Sequence, residues 1–299
     1  MAPGCLFSDA GSKRLVDTAS DLFKSERVFA TRDRHFLFVC GGSVEPGSQS
    51  MRAQFLGWAS VELPDFIILN AEDAFRETLS HKPLTLISLS RFESLIADIS
   101  DCVLIFPESE GSFAELGVFS RVKLIRDKTL VANKLEYQAA QSFVNLGPIR
   151  EIQRLVYINC EPHVNFSPVK EGLRPLSYRS RRRRFHYRAY GTLRWSDRLL
   201  AVWGLLDIFD GLTLEDLHAA VKSTFGFASF QDLRHLLSIL LTAGYVVRCE
   251  EYFSPAVDKQ PLLEFDHARI EDLRGEVAYY YLRCERHVYD VPAEHTRDS

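Results

Sequence analysis

The run Phe36-Leu37-Phe38-Val39-Cys40, halted at once by Gly41-Gly42, does most to constrain this chain. A strand with one wet face alternates apolar and polar residues, so five successive apolar positions describe a strand covered on both sides. Similar runs recur at Phe66-Ile67-Ile68-Leu69 and Cys102-Val103-Leu104-Ile105-Phe106, with weaker ones near 128–132 and 155–159. Helical spacing fills the gaps, near 50–60, over 84–99 with Leu86, Leu89, Ile96 and Ile99 inward, and after the third strand with Phe113, Leu116, Val118 and Phe119. A further helix includes Gly147-Pro148-Ile149-Arg150, and residues 12–30 predict an amphipathic lead-in helix through Leu15, Val16, Ala19, Leu22 and Phe23. Strands alternating with helices predict an α/β fold, a doubly wound parallel sheet with helices on both faces. Ligands of such sheets bind beyond the carboxyl ends of the strands.

After Cys160 the pattern changes. A proline-containing, arginine-rich stretch leads to an apolar helix over 195–209. A second helix follows, capped by Thr213 with Asp216 three residues on, and then a third over 229–243. Gly244 ends the third, and Tyr245-Val246-Val247-Arg248-Cys249 with Tyr252-Phe253 forms a hairpin. Three helices and a hairpin predict a winged-helix-like α+β domain. The length of 299 residues suits two domains. The expected boundaries are a catalytic domain over 1–160, a basic connector over 161–194 and the winged-helix-like domain over 195–299.

Six cysteines without a CxxC pair, several inside apolar runs, imply a reducing compartment and no structural zinc. His35, His81, His186, His218 and His235 have no paired metal spacing, so no metal is expected. No secretory leader and no apolar run of membrane length is seen, and the expectation is a cytoplasmic protein without membrane contact. The formal charge of −4 conceals a strong asymmetry: Gly172 to Ser196 holds eight arginines and no acidic residue. Arg179, Arg181, Arg182, Arg183, Arg184 and Arg188, interleaved with Phe185, Tyr187 and Tyr190, combine phosphate-neutralising charge with rings that stack on bases, a nucleic-acid-binding pattern. The bland alternative is a solvated charged face. The winged-helix-like module also has two readings, and with Arg234 the one clear cation near the start of its third helix, protein docking suits it better than sequence-specific duplex reading.

Chemistry concentrates at the exit of the third strand, where Glu108, Glu110 and Glu115 fall within a turn or two of one another. Ser109, Gly111 and Ser112 start a helix whose free N–H groups can hold a phosphate or ribose oxygen. A carboxylate at Glu115 suits attack on, or stabilisation of, an anomeric carbon as its base departs. Acidic residues also simply favour helix starts, by up to about 1 kcal/mol each. Gly41-Gly42 reads as a tight turn or as a ligand cradle. Glu72 and Asp73, beyond the second strand, read as ribose-hydroxyl ligands or as a solvated loop.

The segment Glu110-Gly111-Ser112-Phe113-Ala114-Glu115-Leu116-Gly117 resembles the signature of nucleoside 2-deoxyribosyltransferases, whose final Glu is the nucleophile. Taken with Phe38-Val39-Cys40-Gly41-Gly42, with Phe106-Pro107-Glu108-Ser109, and with Ser142-Phe143-Val144-Asn145 followed by Gly147-Pro148-Ile149-Arg150, it resembles the deoxyribosyltransferase-like effectors of retrons over roughly residues 35–155. The resemblance implies a toxic anti-phage N-glycosidase of Rossmann- or flavodoxin-like fold. It would cleave the nicotinamide–ribose bond of NAD, as substrate rather than cofactor, or of a related nucleotide. It also implies restraint by a reverse transcriptase and its branched RNA–DNA product, multicopy single-stranded DNA (msDNA), and assembly into a higher-order oligomer. On this reading Glu115 is the nucleophile or oxocarbenium stabiliser, Gly41, Gly42 and Ser112 cradle ribose or phosphate, and Asn145 holds a ribose hydroxyl. One position departs from the pattern. Ordinary deoxyribosyltransferases carry Asp six residues before the nucleophile, where this chain has Ser109, so Glu108 and Glu110 are the two candidates for that carboxylate and which one serves is open. Alternative readings are a non-catalytic nucleotide sensor or adaptor in a ribonucleoprotein, a deoxyribosyl transferase, and a DNA-binding regulator.

Overall fold

The computed structural model describes residues 10–31, 34–79, 89–177 and 182–283. The chain divides into two compact units, one of Asp33–Arg181 and one that joins Met1–Arg32 to Arg182–Ser299. The chain begins with α1 (Ala10–Lys24) and β1 (Phe29–Thr31), both in the second of these units.

The Asp33–Arg181 unit runs β2 (His35–Cys40), α2 (Met51–Glu62), β3 (Phe66–Leu69), α3 (Ala71–Leu79), α4 (Leu89–Ile99), β4 (Cys102–Ile105), α5 (Glu110–Arg121), α6 (Lys123–Arg126) and β5 (Thr129–Lys134). A wide helical turn over Asn145–Ile149 continues into α7 (Arg150–Ile152), followed by β6 (Leu155–Ile158) and α8 (Ser167–Ser177). The five strands lie in the order β3-β2-β4-β5-β6, and every pair is parallel. The expected parallel α/β sheet is therefore present. Residues 84–88, expected to open the helix before β4, lie outside the described residues.

Burial on both faces explains the unbroken apolar runs. Leu37 and Val39 point into a core with Met51 and Phe55 of α2 and Val169 and Leu173 of α8. Phe38 faces the other way, its ring 6.3 Å from that of Phe119 on α5. The strand order reverses between β2 and β4, where the connections leave in opposite directions and a crevice opens at the carboxyl ends. Cys40 and the Pro107-Glu108 exit meet there, because Cys40 pairs in register with Ile105.

The other unit adds β7 (Arg182–Arg184), α9 (Trp195–Phe209), α10 (Leu214–Phe225), α11 (Phe230–Thr242), β8 (Val246–Cys249), β9 (Tyr252–Pro255), β10 (Leu263–Glu264) and α12 (His267–Arg283). Thr213 caps α10 by accepting from the Asp216 N–H, as its spacing predicts. Three helices and an antiparallel hairpin, β8 with β9, follow in the expected order. Two features differ from the sequence expectation. The lead-in helix α1 packs with this unit, where Phe23 meets Phe185, Phe225 and Phe265 edge-on at 4.9–5.8 Å. The arginine run is a strand rather than a free connector, since β7 pairs antiparallel with β1 and β1 with β10. Both differences arise from contacts over 150 residues apart in sequence, which local periodicity does not report.

Phe55 measures how strongly the sheet unit depends on its aromatic core. It is fully buried and touches Trp58, Phe106 and Phe166, with ring centroids 5.4–5.7 Å away. Phe55→Ala is expected to cost about 3–5 kcal/mol, read as a fall in the denaturant midpoint.

Candidate active site

Glu108 organises the carboxyl ends of β2 and β4. Its Oε1 accepts from the backbone N–H of Gly42 at 2.9 Å and of Arg52 at 3.0 Å, and its Oε2 accepts from the N–H of Met51 at 2.7 Å. Two of these donors open α2, where free N–H groups and the helix dipole favour an anion. With both oxygens engaged, Glu108 acts as a clamp between the strand exits. The close approach also accounts for the glycine pair. A Cβ at Gly41 would meet the Arg52 Cβ at 2.7 Å, and one at Gly42 would meet the Ser50 Cβ at 2.7 Å. Among the described residues the Gly41-Gly42 backbone is packed on α2 and Glu108.

Ser109 and Ser112 start α5. Ser109 is the N-cap, accepting from the Ser112 N–H at 3.2 Å and donating to the Gly41 carbonyl at 3.1 Å. The buried Ser112 hydroxyl accepts from the N–H groups of Glu108 and Ser109. Both serines are thus occupied in building the turn. Gly111 and Glu110 are exposed on the first turn. Asn145 holds its own loop, its amide donating to the carbonyls of Tyr137 and Ala140 at 2.8 Å. Asp73 is exposed and pairs with Asn70 and Arg76.

Glu115 points instead into a half-buried charged cluster. Cys40 at the end of β2, Glu93 on α4, Arg52 and Glu72 all lie within electrostatic reach of it. The Arg52 side chain is only 6% exposed and makes a two-pronged pair with Glu72 at 2.7 and 2.8 Å, and it also donates to Asn70. Glu72 therefore serves to fix Arg52. Burial alone would raise the Glu72 carboxyl, but the Arg52 hydrogen bonds and charge hold it below its ordinary range. Glu115 is compensated less. Burial first, and the neighbouring Glu93 carboxylate second, push it up to about 8, against smaller downward pulls from the Cys40 thiol and the Arg52 charge. Glu93 is raised by burial and by Glu72. Burial, reinforced by Glu115, pushes the Cys40 thiol well up, so it is a neutral donor. The Glu115 Oε2 is buried without a hydrogen-bond partner, as is the Arg52 Nε. At neutral pH this site holds a protonated carboxyl beside a fixed cation, a pairing suited to proton transfer and to stabilising charge that develops on a substrate.

Beyond the ends of β5 and β6 a cavity of about 560 Å³ is lined by Met51, Trp58, Glu108, Lys134, Cys160 and His163, among others. Among the described residues no three His, Cys, Asp or Glu side chains gather in a way that could hold a metal ion. Among the described residues no helix is long and apolar enough to cross a membrane.

Of the expected site residues, the structure gathers Glu115 and Glu72 in the cluster and Glu108, Gly41, Gly42, Ser109 and Ser112 in the turn beside it. Sequence reasoning missed Arg52, Asn70 and Glu93, and took Cys40 as a plain hydrophobe. Arg52 stands ten residues after the glycine pair, in the first turn of the helix that follows, a place where a charged ligand could have been sought. Nothing in the spacing links Glu93 to Glu115, because β4 runs between their helices.

The described arginines of the run are paired more than expected. Arg182 lies over the Phe29 ring at 3.8 Å and pairs with Glu264, Arg183 pairs with Asp197, and Arg184 pairs with Glu26 at 3.0 Å. Arg188 is exposed, while Arg179 and Arg181 lie outside the described residues.

The profile of a family described as STM3845 retron effector protein matches residues 48–248, about two-thirds of the chain. Two Escherichia coli proteins are also similar. One, provisionally named the retron Ec86 ribosyltransferase/DNA-binding protein, is 35% identical over 150 residues, 50% of this chain and 46% of that protein. The other, the equally provisional retron Ec73 ribosyltransferase/DNA-binding protein, is 29% identical over 120 residues, 40% of this chain and 38% of that one. The chain thus spans less than half the length of either curated relative.

Two outcomes separate the clamp from the buried acid. Glu108→Ala removes the acceptor of three backbone donors and is expected to cost about 2–4 kcal/mol in chemical denaturation. Glu115 binds its proton more tightly folded, near pH 8, than unfolded, near 4.5, so the protein loses stability as pH rises between those values and no further above them. Glu115→Gln cannot ionise. Its melting temperature should exceed that of the wild type at pH 8.5, equivalent to at least about 1 kcal/mol, and the gap should narrow toward pH 5.

Proposed function

The chain belongs to the STM3845 retron effector family, and from that premise we propose that its Asp33–Arg181 unit is an N-glycosidase acting on nucleotides. The observation that carries this reading is Glu115, a buried carboxyl with one unpartnered oxygen, at the switch point of a doubly wound parallel sheet. The provisional ribosyltransferase names of the two Escherichia coli relatives support glycosyl-transfer chemistry at such a site.

In this reading the substrate is NAD or a related nucleotide, and the bond broken joins the base to the anomeric carbon of ribose. The Glu115 carboxylate bonds to that carbon, or stabilises it as an oxocarbenium ion, while the bonding electrons leave with the base. A pyridinium base such as nicotinamide departs neutral and needs no proton. A cationic base next to Glu115 also favours its ionised form, opposing the burial that keeps the empty site protonated. Arg52, fixed by Glu72 and Asn70, offers its buried Nε to a ribose or phosphate oxygen. The cavity beside Trp58 and Lys134 has room for the rest of a dinucleotide, with a ring to stack on and a cation for phosphate.

The partners in this reading are a retron reverse transcriptase and its msDNA, which restrain the activity until phage attack. With Arg182, Arg183 and Arg184 engaged in ion pairs, the exposed Arg188 is the described arginine of the run best placed to meet a phosphate.

The test is chromatographic. Purified protein incubated with NAD is expected to release nicotinamide, and Glu115→Gln is expected to lower the rate by at least about a hundredfold. Equal release by wild type and variant would remove Glu115 from the chemistry. No release from NAD or from any other nucleotide, with and without the partner complex, would overturn the glycosidase reading.

A further inference from the structure

Sheets of this kind ordinarily receive a phosphate on the turn after the first strand, at the N-terminus of the helix that follows. In this chain that place is filled from within. Glu108 accepts from the N–H groups of Gly42, Met51 and Arg52 at 2.7–3.0 Å. Cβ atoms at Gly41 and Gly42 would come within 2.7 Å of those of Arg52 and Ser50, so the turn lies directly on α2. A phosphate of the substrate has to be met by side chains, elsewhere along the carboxyl edge of the sheet.

The cavity beyond the ends of β5 and β6 has the parts for it. Trp58 lines it as a fixed ring, held by Phe55 and Phe166 with centroids 5.7 and 5.6 Å away. Lys134, the last residue of β5, supplies a cation. Among the described residues its ion pair is a loose one, Nζ standing 3.9 Å from the exposed Glu136 carboxylate. Two other lysines of this unit are firmly held. Lys128 donates to two backbone carbonyls at 2.6–2.7 Å, and Lys170 pairs with Glu62 at 2.8 Å. Lys134 thus keeps donors for a further anion. Glu108 also lines the cavity, but its charge is already met by three N–H groups, so it repels an anion less than a bare carboxylate would. A space of about 560 Å³ with an aromatic surface and a cation suits a base and its phosphates. The cavity adjoins the Glu115 cluster, since Met51 lines the one and the next residue, Arg52, belongs to the other.

We propose that this cavity is the subsite for the non-reacting half of the substrate, a purine nucleoside diphosphate, with Trp58 the platform for the base and Lys134 the ligand of the diphosphate. Binding there stands by itself, and only the further claim that the same molecule reaches Glu115 rests on the glycosidase reading. Lys134 selects phosphorylated nucleotides over free nucleosides and takes no part in breaking the bond.

The experiment is calorimetric titration of the full chain with ADP and with adenosine at low ionic strength. ADP is expected to bind at least about tenfold more tightly, because only ADP carries the charge that Lys134 meets. Lys134→Met, which keeps the stem and loses the charge, should remove that preference and leave adenosine binding unchanged. Lys134→Arg should restore it, and Lys170→Met, outside the cavity, should bind ADP as the wild type does. ADP should also quench tryptophan emission in the wild type but not in Trp58→Phe, which retains Trp195 and Trp203 as unaffected emitters. A wild type that binds no ADP, or binds adenosine equally well, would overturn the subsite without recourse to any variant. So would full ADP affinity in Lys134→Met, and undiminished quenching in Trp58→Phe would remove the platform. ADP held through Lys134 by a protein that cleaves no nucleotide would uphold the subsite and end the glycosidase reading. Nicotinamide release from NAD with the same KM in wild type and Lys134→Met would do the reverse.

Discussion

The site rests on one carboxylate held by three backbone N–H groups. Glu108 gathers the N–H groups of Gly42, Met51 and Arg52, and so fixes the exit of β4 to the exit of β2 and to the first turn of α2. Three charge-assisted hydrogen bonds in a partly buried setting are strong enough to hold a loop that has no regular structure of its own. The glycine pair makes the approach sterically feasible, since a side chain at either position would strike α2. Once α2 is docked there, the Arg52 side chain is set beside Glu72 and Glu115. The geometry of the cluster is therefore a consequence of the clamp.

Within the cluster, charge and burial are balanced unequally. Arg52 and Glu72 satisfy each other, whereas Glu115 and Glu93 share one environment with no cation of their own. Stability alone does not call for such an arrangement, because a desolvated acid near a second acid costs free energy that an apolar pair would not. Sites that violate local rules in this way are where function is to be sought.

The second unit follows a different logic. Its hydrophobic centre joins α1, through Phe23, to Phe185, Phe225 and Phe265 far along the chain. The arginines of β7 lie along a sheet edge opposite acidic partners on α9, on β10 and in the turn after α1. A run that reads as a basic surface is largely neutralised by residues distant in sequence, and the same sequence pattern would look identical had those partners been absent.

The sequence by itself determined the layered α/β character of the first unit, the three helices and hairpin of the second, and the importance of the exit from β4. These features are set by local periodicity, by caps such as Thr213, and by short motifs, all of which act over a few residues. It also placed Glu115 in view, through a motif spanning eight positions. Only the tertiary structure decided what each acid does. Glu108 and Glu115 are seven residues apart and equally acidic in sequence, yet one faces three backbone donors and the other lies in the field of Glu93, Arg52 and Glu72. Glu93, Arg52 and Cys40 join the site because three parallel strands bring their ends together. Environment rather than residue type sets a carboxyl's protonation, and environment is assembled from contacts that no local pattern encodes.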